Sequence, residues 1–566
     1  MDVGALPGLR SIRSYEKSWL RSDLVAGAVL ATLLVPQGMA YAELAGLPAI
    51  HGLYTSVLCL IGYAIFGPSK VLVLGPDSSL GPMIAATIAP IVAITGAEHA
   101  VGLASTLALM VGVIMVVAGI AKLGFVADLL SKPTRIGYMN GLAVTILIGQ
   151  LPKLFGFSVD ADSLVDEARK FIEGVADGKA VAEAVAIGGV SLALIIVLGR
   201  VAPKIPGVLV AVVTSIAATA IFDLGDKGVS LVGTLPSGFP PIDIPNEWSH
   251  IPELLAGAAG IALVALADTM STASAFAARK GEEVDGNGEM VGIGSANVAA
   301  SFFQGFPVST SGSRTAVAER AGAKTQLTGV VGAAVIVLML VAVPGLLKNL
   351  PNPTLAAIVI AASISLADIP GSRRLYQQRR TEFFVMLAAF GGVAFLGVLQ
   401  GIGIAVVLSI LNVFRRVWWP YQAELGRVPE LAGYHDRTRY PHGEVLPGLV
   451  ILRFDAPLLF ANARTFRDQI RKLAEGKPKW IVIAAEPITD VDTTAADMLE
   501  DLDTELNAVG TFLVFAELKD PVRAKLERYE LIGPLDPRHF FPTLEEALEA
   551  YRRETGVQWT TPTRED

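Results

Sequence analysis

One cysteine, Cys59, stands in the whole chain, so no intrachain disulfide framework holds the fold. The six histidines (His51, His99, His250, His435, His442 and His539) are scattered, and none shares metal-ligand spacing with a second ligand. No metal and no cofactor is expected. The motifs HExxH, GxSxG and GxxxxGKS/T are absent, and no two acids pair within the apolar segments. ATP hydrolysis and peptide cleavage therefore lack their parts, and the chain does not read as an enzyme. Only 17% of the 566 residues are charged, too few for a soluble chain of this length. The net charge of -8 and pI near 5.5 argue against nucleic acid as a partner.

What the chain has instead is apolar sequence. Hydrophobic residues make up 52%, and mean hydropathy is +0.54. This composition predicts a multi-pass α-helical protein in contact with membrane lipid. Arg10, Arg13, Lys17 and Arg21 precede the first apolar run, and no small-residue cleavage site follows, so that run reads as a first span. Fourteen segments are expected: 24–42, 51–67, 77–94, 100–121, 124–150 (interrupted at Pro133), 180–200, 206–222, 253–279, 287–304, 312–321, 325–347, 353–368, 381–398 and 401–417. An even count puts both termini on one side. The loops of that side carry Lys70, Lys122, Arg200 with Lys204, Arg279 with Lys280, Arg320 with Lys324, and Arg373, Arg374, Arg379 and Arg380. The positive-inside rule then makes both termini cytoplasmic, in a cell membrane.

Residues 1–22 form a polar N-terminal segment, and 23–420 a transmembrane domain with repeats at about 23–222 and 253–417. After Trp418-Trp419-Pro420 the composition turns charged. Residues 421–439 read as a linker and 556–566 as a frayed tail. Between them, 440–555 alternates buried strands (450–454, 480–484, 512–515) with helices (463–474, 494–508, 520–529, 544–553), which predicts a small α/β domain.

Two stretches share one grammar. Lys70–Pro82, KVLVLGPDSSLGP, and Phe306–Glu319, FPVSTSGSRTAVAE, each run extended, meet small and hydroxyl residues, and open an apolar or amphipathic helix. They sit at the third position of each set of seven segments. Interrupted segments at matching places in two halves point to an inverted repeat with its site between the half-helix tips. Ser311, Gly312 and Ser313 are N-cap candidates with Arg314 in the first turn; Asp77, Ser78 and Ser79 are their counterparts. Helix N-termini, hydroxyls and an arginine together make a receptor for a small anion. Asn287, Glu289 and Asn297 are expected to brace the backbone nearby.

LVPQGMAYAELAGLPAIHGLYTS (33–56), GPDSSLGP (75–82), the stretch from Ala267 to Gly329 and the α/β tail together resemble the sulfate permease (SulP) family of anion transporters. The resemblance implies a seven-plus-seven inverted repeat with core and gate domains, a cytoplasmic STAS domain and a homodimer. It implies an anion between the tips of spans three and ten: Ser78 and Ser79 at one, Ser311, Gly312, Ser313 and Arg314 at the other, with Gln37 and Tyr41 of span one lining the pocket. Asp268 stands at the family's acidic coupling position. Asp492-Thr493-Thr494-Ala495 matches the STAS turn, with alanine for glycine, which argues against phosphorylation there. Two helix ends at about +0.5 each and Arg314 give the pocket roughly +2, less one when Asp268 is ionised. That balance leans toward sulfate carried with protons. Bicarbonate with sodium, a dicarboxylate, anion exchange or a channel-like mode are the alternatives. A nucleobase permease is disfavoured by Arg314 and the STAS tail.

Overall fold

The computed structural model describes residues 7–8 and 15–560 except 162, 204, 280 and 282, together with all side chains in that range but those of 127–129. Arg10, Arg13, Lys204, Lys280 and the tail at 561–566 lie outside the described residues. The chain forms two compact units, one ending at Ser409 and the other beginning at Ile410.

The first unit is helical, and its last helix runs on past Ser409 into the second. All fourteen expected segments coincide with helices: α1 (Leu20–Leu44), α2 (Ile50–Phe66), α3 (Gly81–Thr95), α4 (Ala100–Ile120), α5 (Lys132–Leu154), α7 (Ala182–Val201), α8 (Gly207–Phe222), α9 (Ile251–Ala278), α10 (Gly286–Ser301), α11 (Gly312–Arg320), α12 (Leu327–Ala342), α13 (Asn352–Leu366), α15 (Arg380–Gly391) and α16 (Val398–Trp418). Two more, α6 (Leu164–Ala176) and α14 (Ile369–Gln378), are polar connecting helices. Among the described residues, six helical stretches are long and apolar enough to cross a membrane, and four shorter helices are apolar. α11 has nine residues, about 14 Å of rise, and so reaches only part of the way across.

Pro36 lies inside α1, which runs through it; packed neighbours hold the helix where one backbone bond is lost. A second proline brings a correction. Pro133 does not interrupt a span but starts one. It falls in the first turn of α5 behind Ser131, where its missing N–H has no intrahelical partner to lose.

The helices sort into two bundles. α10 packs along α4 and α2, and α12 along α1 and α2. Separately, α5 packs on α13 and α15, and α7 on α13 and α8. Close helix approach in the first bundle depends on glycine. A Cβ on Gly52 would lie 1.9 Å from the Gly38 carbonyl oxygen, and Gly112 and Gly294 face each other's carbonyls at 2.7 Å by the same measure. Asp23, fully buried, accepts from the Lys324 N–H (2.7 Å) and the hydroxyls of Thr325 (2.7 Å) and Thr328 (3.0 Å), tying the start of α1 to that of α12.

The extended runs ahead of α3 and α11 become strands. β1 (Leu74–Gly75) and β2 (Ser309–Thr310) pair antiparallel, Leu74 opposite Thr310 and Gly75 opposite Ser309. Antiparallel pairing is what two segments of opposite orientation give when they meet.

The second unit is a six-stranded sheet in the order β4-β3-β5-β6-β7-β8. β5 (Leu449–Phe454), β6 (Trp480–Ala484), β7 (Phe512–Ala516) and β8 (Phe540–Phe541) run parallel. Side chains alternate between its faces. Leu452, Phe454, Ile483 and Phe515 pack under α17 (Ala463–Ala474), α18 (Thr493–Ala508) and α19 (Asp520–Arg528). Ile451, Trp480, Val482 and Val514 pack under α20 (Leu544–Thr555). The stretch expected as a linker instead holds β3 (Gln422–Arg427) and β4 (Tyr434–Asp436), antiparallel strands whose weak apolar alternation hid them. Nor is residue 560 frayed: the Thr560 and Val445 backbones exchange two hydrogen bonds, at 2.9 and 2.8 Å.

Candidate functional site

The strand pair aims both helix starts into one cavity. Beyond the two residue pairs of the ladder, the Ser311 N–H donates to the Val73 carbonyl (3.0 Å), and the Thr315 hydroxyl accepts from the Val73 N–H (3.1 Å). Each tip is thus tied to the other's backbone. Asn297 accepts from the Val308 N–H (2.9 Å), and the Thr55 hydroxyl accepts from the Phe306 N–H (3.2 Å). Glu289, buried, accepts from Tyr63 (2.6 Å) and from Ser69, and Asn287 accepts from the Gly124 N–H (2.9 Å). These three side chains of α10 brace backbone and neighbouring side chains.

Ser311 is the N-cap of α11, accepting from the Arg314 N–H at 3.5 Å. The other tip differs from expectation. α3 starts at Gly81, not at Asp77, because Pro82 marks its first turn. Asp77 instead organises a turn ahead of the helix: its side chain accepts from the Ser79 N–H (2.9 Å) and hydroxyl (2.7 Å), and its carbonyl accepts from the Gly81 N–H (3.2 Å).

The cavity holds about 870 Å³, within the ~300–1,000 Å³ typical of ligand clefts. Gln37, Tyr41, Ser78, Asp268, Ser311, Gly312 and Ser313 all line it. Two expected residues do not. Ser79 is fully buried behind the turn, its hydroxyl 3.1 Å from Asp268 Oδ2 as well as near Asp77. Arg314 is 1% exposed and lies behind the strand pair. Its guanidinium is 3.7 Å from Asp77 Oδ2, and none of its nitrogens has a hydrogen-bond partner among the described residues. It lies against Gly75: a Cβ there would sit 2.9 Å from Arg314 Nη1, so a larger residue would displace the guanidinium.

Three charged residues on the lining escaped the sequence reading: Lys132 and Arg135 on α5, and Asp368, which caps α14 through the Gly371 N–H (2.8 Å). The signal for the first two was present in Ser-Lys-Pro, a helix-start pattern inside what reads as one long apolar segment. The helix tips contribute about +1. Lys132, Arg135 and Arg314 add three charges, and Asp77, Asp268 and Asp368 remove three. The balance is roughly +1, or +2 with Asp268 protonated, the same total as expected from the tips, Arg314 and Asp268 alone, reached through a different set of residues.

The sulfate permease family model matches residues 20–389, and a STAS domain model matches 440–547. The chain belongs to the sulfate permease family. It is 41% identical to a probable sulfate transporter of Mycobacterium tuberculosis strain H37Rv, over 98% of this chain and 99% of that one. It is 30% identical to the high affinity sulfate transporter 2 of Stylosanthes hamata, over 96% and 86%. In fold it is similar to the murine solute carrier 26 member A9 anion transporter in its inward-facing state, with TM-score 0.89, 22% identity, and 97% and 94% of the chains covered. The transmembrane domain of the cyanobacterial bicarbonate transporter BicA matches at TM-score 0.61 and 21% identity, over 70% of this chain and 98% of that one. The sulfate permease fold thus accounts for both units of the chain, membrane-type helices followed by a STAS sheet.

Proposed function

We propose that this member of the sulfate permease family is a secondary active transporter of a small oxyanion, sulfate foremost, taken up with protons by alternating access. The β1–β2 pairing carries this reading, because it sets the starts of α3 and α11 and their serines on one polar cavity. In the proposal Ser78, Ser311, Gly312 and Ser313 hold the anion, Gln37 and Tyr41 complete that wall, and Ser79 and Arg314 support it from behind. The two helix bundles serve as core and gate. Fourteen spans, cytoplasmic termini, a cell-membrane location and a homodimer belong to the same reading.

Asp268 is the proposed coupling group. Ser79 has one hydroxyl hydrogen but lies within bonding distance of both the Asp77 and Asp268 carboxylates. A proton on Asp268 satisfies the second contact. Its loss leaves two carboxylates competing for one donor, so protonation favours the arrangement that also makes the cavity more positive.

Uptake of labelled sulfate into proteoliposomes without nucleotide, against uracil, tests the class. A series of competing anions at two pH values, with and without sodium, tests the cargo and coupling ion. Asp268→Asn removes the proton dependence of uptake if the assignment holds; an unchanged dependence refutes it. Bicarbonate with sodium is the second reading, favoured by the similarity in fold to the BicA transmembrane domain.

A further inference from the structure

The serines and helix tips occupy one wall of the cavity. The opposite wall belongs to α5, whose packing partners are α13 and α15, whereas the strand pair packs on α9 and α2. Lys132 and Arg135 project from the first turn of α5 onto that wall. Neither forms a hydrogen bond or ion pair among the described residues. Arg314, the cation expected at the anion, does not reach the lining. Lys132 and Arg135 are therefore the cations that face the cavity among the described residues.

Arg135 is half-buried and Lys132 exposed, so both can meet a solute that enters the cavity, and an unpaired cation within a helix bundle marks a path for charge. Three carboxylates share the cavity with Arg135. Asp368 is committed to the α14 cap, and Asp77 to the Ser79 turn and Arg314. Asp268 remains, and its contact is the Ser79 hydroxyl (3.1 Å), not Arg135.

We propose that Arg135, with Lys132 beside it, is a second contact for the transported anion: a subsite on the α5 wall that takes one oxyanion or carboxylate oxygen while the serines of the strand-pair wall take the others. The inference rests on the anion-transport reading above. It adds that the anion bridges the two bundles and supplies the counter-charge that Arg135 lacks. An anion with two negative charges satisfies both walls, and a monovalent one does not. Arg135 is thus a specificity-determining residue for divalent anions.

The test is equilibrium binding to the full-length chain in lipid nanodiscs, using labelled sulfate, oxalate, bicarbonate and nitrate, with uptake kinetics alongside. Arg135→Gln is expected to raise the dissociation constant for sulfate about tenfold or more, the scale of one charge-assisted hydrogen bond, and that for nitrate by less than threefold. Arg135→Lys retains most of the affinity. Arg135→His covers the case in which the glutamine variant does not fold. Its charge switches near pH 6.5, so sulfate affinity falls from pH 5.5 to 7.5 by several-fold more than in the wild type. Equal losses for sulfate and nitrate, or a fall in maximal rate with unchanged binding, would overturn the proposal. A wild type that prefers bicarbonate overturns the choice of sulfate alone, and Arg135 is then judged by whether oxalate loses more than bicarbonate. A wild type that binds no anion sinks both readings.

Discussion

Replacing Gly52 by alanine tests the close packing that holds the cavity-lining part of α1. The added Cβ would lie 1.9 Å from the carbonyl oxygen of Gly38, 2.3 Å from its carbon and 3.0 Å from the Met39 nitrogen. All three are backbone atoms, so no side chain can swing aside. Clearing the oxygen even to 3.0 Å needs a shift of about 1.1 Å between α1 and α2. Overpacking of this kind costs about 1–3 kcal/mol. The better helix propensity of alanine returns about 0.5–1 kcal/mol, leaving a net loss centred on about 1 kcal/mol. At about 2.1 cal/mol/K per residue, a unit ending at Ser409 then melts about 1–2 °C lower. Gln37 precedes Gly38 and Tyr41 follows one turn on, and both line the cavity. The same shift therefore weakens anion binding. Gly189→Ala in α7 is the control, because nothing lies within 4 Å of its added Cβ. Thermal melting and proteoliposome uptake read both variants. A Gly52→Ala chain that melts within 1 °C of the wild type with unchanged uptake refutes the packing argument, as does an equal loss in Gly189→Ala.

Arg314→Gln is expected to lower anion affinity through Asp77, whose charge it leaves uncompensated beside Ser78. Adding Asp77→Asn restores part of that affinity, and a double variant no better than Arg314→Gln alone contradicts this electrostatic route. In the STAS unit, burial lifts the carboxyl of Asp503 to about 6, with the charge of Asp536 adding to the rise and a 2.7 Å bond from Asn507 opposing it. An unfolded aspartate titrates near ~3.9, so the folded unit binds this proton more tightly. Its contribution to stability is full below about pH 4 and is lost as the pH rises through about 6. Hydrogen exchange along α18 should therefore quicken over that interval beyond the intrinsic rate, and Asp503→Asn should flatten the trend; an unchanged trend removes Asp503 as its cause.

Much of this architecture is legible in local sequence. The runs 480–484 and 463–474 read directly as β6 and α17, since unbroken apolar and amphipathic periods leave few alternatives. The extended-then-helical grammar of the two tips is equally visible. Their pairing is not, because two-residue strands separated by more than two hundred residues carry no local sign of each other. Arg314 shows the same limit. Its position at a helix start makes it an obvious ligand, but which side of a strand it occupies depends on Gly75, Leu34 and the rest of the packed interior. Lys132 and Arg135 are hidden for the opposite reason: apolar flanks on both sides make them look like interruptions within a span.

The two-residue β1–β2 ladder also has a consequence for synthesis. While the first half is being made, the backbone of Leu74 and Gly75 has no mate, and none exists until Ser309 and Thr310 leave the ribosome. For all that time the nascent chain carries an open polar edge in its interior. A chain cut short before that point has one wall-forming tip and nothing to pair it, so the polar cavity is among the last parts of the membrane unit to be completed.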